Sequence, residues 1–450
     1  CIRDRPVDEL WTNLGPEVIN ISYTGSRSII HRVIQIDFSS ISAFLTGFST
    51  YPQPLRLRLR IFTIFFLYKQ THQAVRKGEL STIMKLVFDK ADLVKSVAIA
   101  MKAVSGKTTM PILQCILIDA SSSQIKFTSN DMELGIETLV TGMILERGVV
   151  ALDAKIFSEI VRKLPDNQVT IETDENLVTT ITCEKAKFNI PGQSGEDFSY
   201  LPILETSDCV SISQFTLKEL IRQTIFSIAA NENNKLMTGE LFEIKDNTLR
   251  VVSLDGHRIA IRRIELKDSY PDRKVVVPGK TLNEISKILS GEMDDQIDIY
   301  FSENHIMFKF DDTTVVSRLI DGEYFRIDQM LSSDYETKVT INKKEFLSCI
   351  DRATLLVKEG DKKPIIMNIT DGTMELKINS FIGSMNEDID IAKEGKDILI
   401  GFNPKFLMDV LRVIDDEEIS IYLVNPKAPC FIKNEEESYI YLILPVNFNH

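Results

Sequence analysis

Asp153-Ala-Lys155-Ile-Phe157, Pro278-Gly-Lys280-Thr-Leu282 and Asn403-Pro-Lys405-Phe-Leu407 are three versions of one stretch, with the lysines 125 residues apart each time. Each follows an apolar β-branched run (Val149-Val150, Val275 to Val277, Ile398 to Ile400). Each also opens an amphipathic segment whose apolar positions return in register at Ile160, Ile285 and Val410, then at Leu164, Leu289 and Ile414. That is a strand running into a short helix, repeated three times, and the repeat decides the architecture. Asp153 and Asn403 suit a helix N-cap, and Pro278 and Pro404 suit a first turn, where no N–H partner is lost.

A second series precedes the first: Phe88-Asp-Lys-Ala-Asp-Leu93, Phe215-Thr-Leu-Lys-Glu-Leu220 and Ile341-Asn-Lys-Lys-Glu-Phe346, spaced by 127 and 126 residues. Each unit therefore holds two helices. Between them the period changes to that of strands: Gln124 to Asp131 with Leu134 to Val140, Thr248 to Asp255 with Ile259 to Ile264, and Thr373 to Asn379. Further alternating runs follow the second helix: Val169 to Thr173 with Val178 to Cys183, Ile297 to Phe301 with Ile306 to Phe310, and Ile419 to Leu423 with Tyr439 to Leu444. Units one and two share an exit pattern, Phe198-x-x-Leu201-x-x-Leu204 and Tyr324-x-x-Ile327-x-x-Met330. The reading is an α+β protein of three repeated domains, each with two helices on antiparallel sheet, spanning residues 84–204, 205–333 and 334–450.

Residues 1–83 stand outside this scheme. They carry ten Lys/Arg against six Asp/Glu, so they are +4 while residues 84–450 carry −17 of the chain's −13. Their longest apolar run, Ile61 to Tyr68, is too short for a bilayer span of about 20 residues and too far from the start for a secretory signal. The segment is expected to be a poorly structured extension, the alternative being a basic targeting arm. The six cysteines (1, 115, 183, 209, 349 and 430) show neither metal-ligand nor paired spacing, which points to a reduced, cytoplasmic chain without metal or cofactor.

Charge is divided between the elements. The helical segments, roughly 89–104, 153–164, 216–230, 279–289, 342–358 and 403–414, each carry +1 or +2 and sum to +7, leaving −24 for the rest of residues 84–450. Lys95, Lys102, Lys155, Arg162, Arg222, Lys280, Lys287, Arg352, Lys358, Lys405 and Arg412 supply most of the positive side. Such a face attracts a polyanion to one surface. With no Arg/Lys-rich arm and no stacking aromatics, it suits loose, sequence-independent contact with DNA. No Walker A loop, H-E-x-x-H, G-x-S-x-G or G-x-G-x-x-G is present. Asp255 and His257 could form an acid/base pair, but no nucleophile accompanies them. The bland reading is a turn in which Gly256 takes an unusual backbone angle.

Met84-Lys-Leu-Val-Phe, Thr109-Met-Pro-Ile-Leu113, Asp255-Gly-His-Arg-Ile-Ala260, Ser317-Arg-Leu-Ile-Asp-Gly322 and Tyr441-Leu-Ile-Leu-Pro445 together resemble the bacterial β sliding clamps, the processivity subunits of DNA polymerase III, across residues 84–449. The resemblance implies a non-catalytic protein. It implies a head-to-tail homodimer closing into a six-domain ring around duplex DNA, with twelve helices lining the hole. Lys107 and Asn231 correspond to DNA-facing loop positions. It also implies a groove between the second and third domains for short peptides of the polymerase α subunit, the clamp loader and other partners. Carried over singly, that groove comprises Met237, Leu254, Gly256, His257, Arg258, Ile259, Phe325, Met330, Pro429, Leu442, Leu444 and Val446, with His257 and Arg258 as its polar rim. The family commonly has Pro where this chain has Phe325. Leu355 and Leu356 are either dimer-seam residues or internal core. The competing function is a repeat-domain scaffold in DNA metabolism that does not encircle DNA.

Overall fold

A computed structural model describes residues 84–106, 108–204, 209–230, 234–331, 334–357 and 363–448. The leader, Lys107, Asn231 and Lys358 lie outside the described residues. Each unit opens with a strand, Met84–Asp89, Cys209–Ser213 or Thr337–Asn342, whose last residue caps the following helix. Asp89 accepts from Ala91 N at 2.9 Å, Ser213 from Thr216 N at 3.0 Å and Asn342 from Glu345 N at 3.0 Å, so each strand-to-helix switch is encoded by one short polar side chain. The helices so started are α1 (Lys90–Ala100), α3 (Gln214–Thr224) and α5 (Lys343–Thr354); the second helices are α2 (Ala154–Lys163), α4 (Gly279–Ile288) and α6 (Pro404–Val413).

The lysine stretch sits at the start of each second helix. Asp153 Oδ1 accepts from Ile156 N at 2.8 Å and Asn403 Oδ1 from Lys405 N at 3.0 Å. Pro278 itself takes the cap position and offers no side-chain bond. Two residues after each lysine, Phe157, Leu282 and Leu407 are buried in the three unit cores, while Lys155, Lys280 and Lys405 stay exposed. Each core closes over its own helices: Phe88, Phe127 and Phe157 in the first, Phe242 and Phe308 in the second, Phe346 and Phe402 in the third. Emptying one such aromatic site costs about 3–5 kcal/mol.

Sheets run through the unit boundaries. Thr313–Arg318 of unit two pairs antiparallel with Leu134–Val140 of unit one, matching Val316 to Gly135 and Ser317 to Leu134. Tyr439–Ile443 of unit three pairs with the start of Arg258–Pro278 of unit two, matching Leu442 to Ile259 and Ile443 to Arg258. The two junctions are one design used twice. Leu139 N donates to Asp312 O at 2.8 Å in the first and Arg263 N to Ser438 O at 2.8 Å in the second. Unit two differs in its strands: Gly239–Leu254 and Arg258–Pro278 form one long hairpin with register shifts around Asp246, where separate short strands were expected. Asp246 takes a positive φ of 53°, so the turn-like Lys245-Asp246-Asn247 is absorbed as an irregularity within the ladder.

Candidate functional site: a helix face and an interdomain groove

The six helices share one layer. Those of each unit pack on each other, and α3 also packs on α6. Ion pairs bridge both boundaries: Lys102 to Glu284 at 3.7 Å, and Arg222 to Asp415 at 2.9 Å. The predicted cations on this layer fall into two groups. Arg162 pairs with Glu159, Lys287 with Glu284, Arg222 with Glu219 as well as Asp415, Arg352 with Glu387, and Lys280 with Asp131 of unit one. The Glu219 hydrogen bond raises the Arg222 guanidinium above its ordinary range, the partial burial opposing this. Lys95, Lys155 and Lys405 are exposed and make no ion pair among the described residues. The layer's outward positive charge is therefore carried by fewer side chains than the sequence count indicates.

Acids recur one turn into each second helix, at Glu159, Glu284 and Asp409. In units one and two the acid pairs with the base three residues on, Arg162 at 2.5 Å and Lys287 at 2.7 Å. In unit three Asp409 turns to Arg258 at 2.7 Å, and Arg412 is left 3.8 Å from Asp351. One carboxylate has been taken from the helix surface to join two units.

The groove is built where the second junction meets the exit of unit two. Leu254, Ile259 and Leu442 form the floor of an apolar cluster with Tyr324 and Ile327, and Met237 and Phe325 pack against it half-buried. Phe325 meets Tyr324 edge-on, with ring centroids 5.5 Å apart, and supplies a flat ring to the wall. Met330 and Leu444 are exposed at 55% and 38%, apolar surface available to a ligand. Pro429 and Gly256 lie at the margins, half-buried and exposed respectively. Val446 departs from this set: its N–H bonds Gly401 O at 2.8 Å, and its side chain lines a separate cleft in unit three with Glu336 and Lys396.

Arg258 is a correction to the polar-rim reading. It is only 7% exposed, and each guanidinium nitrogen bonds inside the protein: Nε to Asp255 at 2.9 Å, one terminal nitrogen to Asp409 at 2.7 Å, the other to Phe226 O at 2.6 Å. Its guanidinium also lies 4.4 Å from the Phe406 ring centroid. It is a strut between units two and three. His257 remains exposed and stacks on Phe406 at 6.2 Å. Asp255 spends its carboxylate on His257 N, Arg258 N and Arg258 Nε, with Gly256 at φ +83°. The segment is a turn, and Asp255 does not orient the imidazole as a catalytic pair would.

Leu355 and Leu356 separate. Leu355 is 78% exposed, whereas Leu356 packs against the third core. The latter also lies beside Gly383, at the base of a loop presenting Phe381 at 98% and Ile382 at 53% exposure. Sequence reasoning missed Phe381 and Ile382, although their loop is the third copy of the Asp131 and Asp255 turns: Ser380 N bonds Gly383 O as Asp255 N bonds Arg258 O. Among the described residues no cluster of His, Cys, Asp and Glu could hold a metal, and no helix is long and apolar enough to cross a membrane.

Three repeated units, junctions of common register and one helix layer define the class of the sliding clamps. The DNA polymerase III beta subunit family matches throughout: its N-terminal domain over residues 84–202, its central domain over 211–325 and its C-terminal domain over 328–447. The chain belongs to this family. It is 34% identical over 357 residues, covering 77% of this chain and 94% of the relative, to the beta sliding clamp of Staphylococcus epidermidis, with the same figures for that of Staphylococcus aureus. Among solved structures it is similar to a putative DNA polymerase III beta subunit from Eubacterium rectale, with 72% identity and a TM-score of 0.79, and to the sliding clamp from Bacillus subtilis, with 35% identity and 0.78. In both cases 81% of this chain and all of the other are covered.

Proposed function

We propose that two copies of this chain close head to tail into a ring that encircles duplex DNA, and that the ring tethers a replicative polymerase through the groove at the second junction. The observation that carries this is the register of the junctions. Each joins the last strand of one unit to the strand that follows the Asp131-type turn of the unit before it. Applied a third time, the rule leaves Ser384–Asp390, paired with Thr373–Asn379 on one side, as a sheet edge with no second partner strand among the described residues. Its complement is the last strand of unit one, Ala186–Gln193, which beyond Gly192 and Gln193 pairs on one side only. The first edge carries Glu387, Asp388 and Asp390, the second Lys187 next to Lys185, so the two are complementary in charge as well as in backbone. Exposed Leu355, Phe381 and Ile382 lie close to the open edge of unit three and suit an apolar seam.

Two chains would bring twelve helices to one surface. With many of its cations already paired, that surface holds phosphates loosely, and retention comes from closure rather than affinity. The half-buried apolar groove suits an extended peptide with aliphatic and aromatic anchors, as offered by a polymerase subunit or a clamp loader. The test is topological. Protein placed by a loader on nicked circular DNA is expected to stay bound through gel filtration at high salt and to leave once the circle is linearised. Equal loss from circular and linear DNA would favour the scaffold that does not encircle it.

A further inference from the structure

The repeat makes a second groove, and its chemistry differs from the first. At the first junction Asp131 Oδ1 accepts from Glu133 N at 3.0 Å and Leu134 N at 2.7 Å, as Asp255 Oδ1 accepts from His257 N at 3.0 Å and Arg258 N at 3.1 Å. Arg318 N donates to Glu133 O at 2.8 Å, as Leu444 N donates to His257 O at 2.9 Å. Met132 holds φ +75° where Gly256 holds +83°. A side chain has thus been kept in a conformation that disfavours one, and it is 52% exposed. Met132, Glu133 and Arg318 border a cleft of about 470 Å³ that also includes Asn130, Tyr200 and His305, within the size range of ligand sites.

Strand register translates one groove into the other. Asn130 faces Gly135 as Leu254 faces Ile259, and Val316 stands where Leu442 stands. The strand pairs Ile306 with Ser317 and Cys430 with Ile443 place His305 at the position of Pro429 and Arg318 at that of Leu444. Three apolar positions, Leu254, Pro429 and Leu444, have become an amide, an imidazole and a guanidinium. Met132, Tyr200 and Val316 keep an apolar wall. Glu133, in the place of His257, lines the same cleft, its carbonyl bonded to Arg318 N. Burial, with the Arg318 charge adding to it, lowers the His305 pKa from its ordinary value.

We propose that the cleft at the first junction is a second peptide site, selecting an extended segment that presents a carboxylate to His305 and Arg318 and an apolar side chain to Met132 and Tyr200. The guanidinium fork and imidazole supply charge-assisted bonds that an aliphatic ligand would leave unmade. The extended-peptide chemistry is taken from the groove reading above.

Methionine methyl groups report the two sites separately, Met132 in the cleft and Met330 in the groove. The full chain carrying ¹³C-methyl methionine would be titrated with acetyl-Lys-Leu-Asp-amide, with its Asn counterpart, with a Leu-Phe-ended peptide and with inorganic phosphate. The acidic peptide is expected to shift the Met132 methyl saturably, at least about fivefold more tightly than the Asn peptide. Arg318→Ala is expected to weaken that binding about tenfold or more and to leave the Met330 response to the apolar peptide unchanged. A Met132 signal that does not saturate, that responds equally to Asn and Asp peptides, or that phosphate shifts alike would overturn the proposal. A silent Met330 with a responsive Met132 would reject the groove reading and leave the cleft standing.

Discussion

Arg258 and Glu240 show how individual residues of the second junction depart from the repeat. Arg258 is held between Asp255 and Asp409 with Phe226 O closing the set. Truncation to alanine leaves two half-buried carboxylates without their cation and is expected to destabilise the fold by about 3 kcal/mol or more in chemical denaturation. Lysine at this position is expected to recover only part, since an ammonium cannot serve three directions as a planar fork does. Glu240 is fully buried in the strand Gly239–Leu254, and among the described residues neither carboxyl oxygen has a partner within hydrogen-bond geometry, Thr224 being its polar neighbour. Burial pushes its pKa well above the ordinary value; Thr224, whose hydroxyl already donates to Leu220 O at 2.6 Å, offsets only part of this. The folded chain therefore keeps a proton that the unfolded chain releases in the ordinary carboxyl range, so stability falls as pH rises through the window above that range. Glu240→Gln is expected to match the parent in acid and to gain on it by about 1.4 kcal/mol per pH unit within the window. A stability difference that does not vary with pH would show that Glu240 ionises normally.

At the scale of elements, the helix layer is where sequence charge and structural charge diverge. By composition Lys280, Lys287, Arg222 and Arg352 are outward cations, but each is held by a carboxylate. The members without an ion pair among the described residues are Lys95, Lys155 and Lys405. Replacing these three together by alanine is expected to reduce the salt dependence of DNA association by about 0.9 in log–log slope for each phosphate that is no longer neutralised. Lys280→Ala alone is expected to change that slope little, because Asp131 already neutralises it. Measuring association across a salt series decides between the two groups. The motif lysines at 155, 280 and 405 are thus equivalent in register and unequal in electrostatics, a distinction made by Asp131, which comes from a neighbouring unit.

For the whole molecule, the open edges Ala186–Gln193 and Ser384–Asp390 set the expectation for assembly. Lys187→Glu places like charges against the acidic edge and is expected to lower the dimer fraction in light scattering at low salt; adding Asp388→Lys is expected to restore part of it. A dimer indifferent to both changes would reject this seam. Much of this plan was legible in the sequence, because a period near 125 residues, β-branched runs and short polar caps such as Asp153 and Asn403 act locally, within one turn or one strand. The unit cores followed for the same reason, with Phe157, Leu282 and Leu407 at one register position. What lay beyond reach depends on groups brought together from distant parts of the chain: Asp409 turning from its own helix to Arg258, Asp131 neutralising Lys280, Phe381 and Ile382 left uncovered, and three apolar groove positions reappearing as Asn130, His305 and Arg318. The amino-acid sequence by itself determined three units, their helices and their family, since propensity and periodicity are short-range. Only the tertiary structure decided which charges are spent between units, which edges stay open and which junction is apolar, since those depend on groups brought together from distant parts of the chain, as Asp131 is to Lys280 and Asp409 to Arg258.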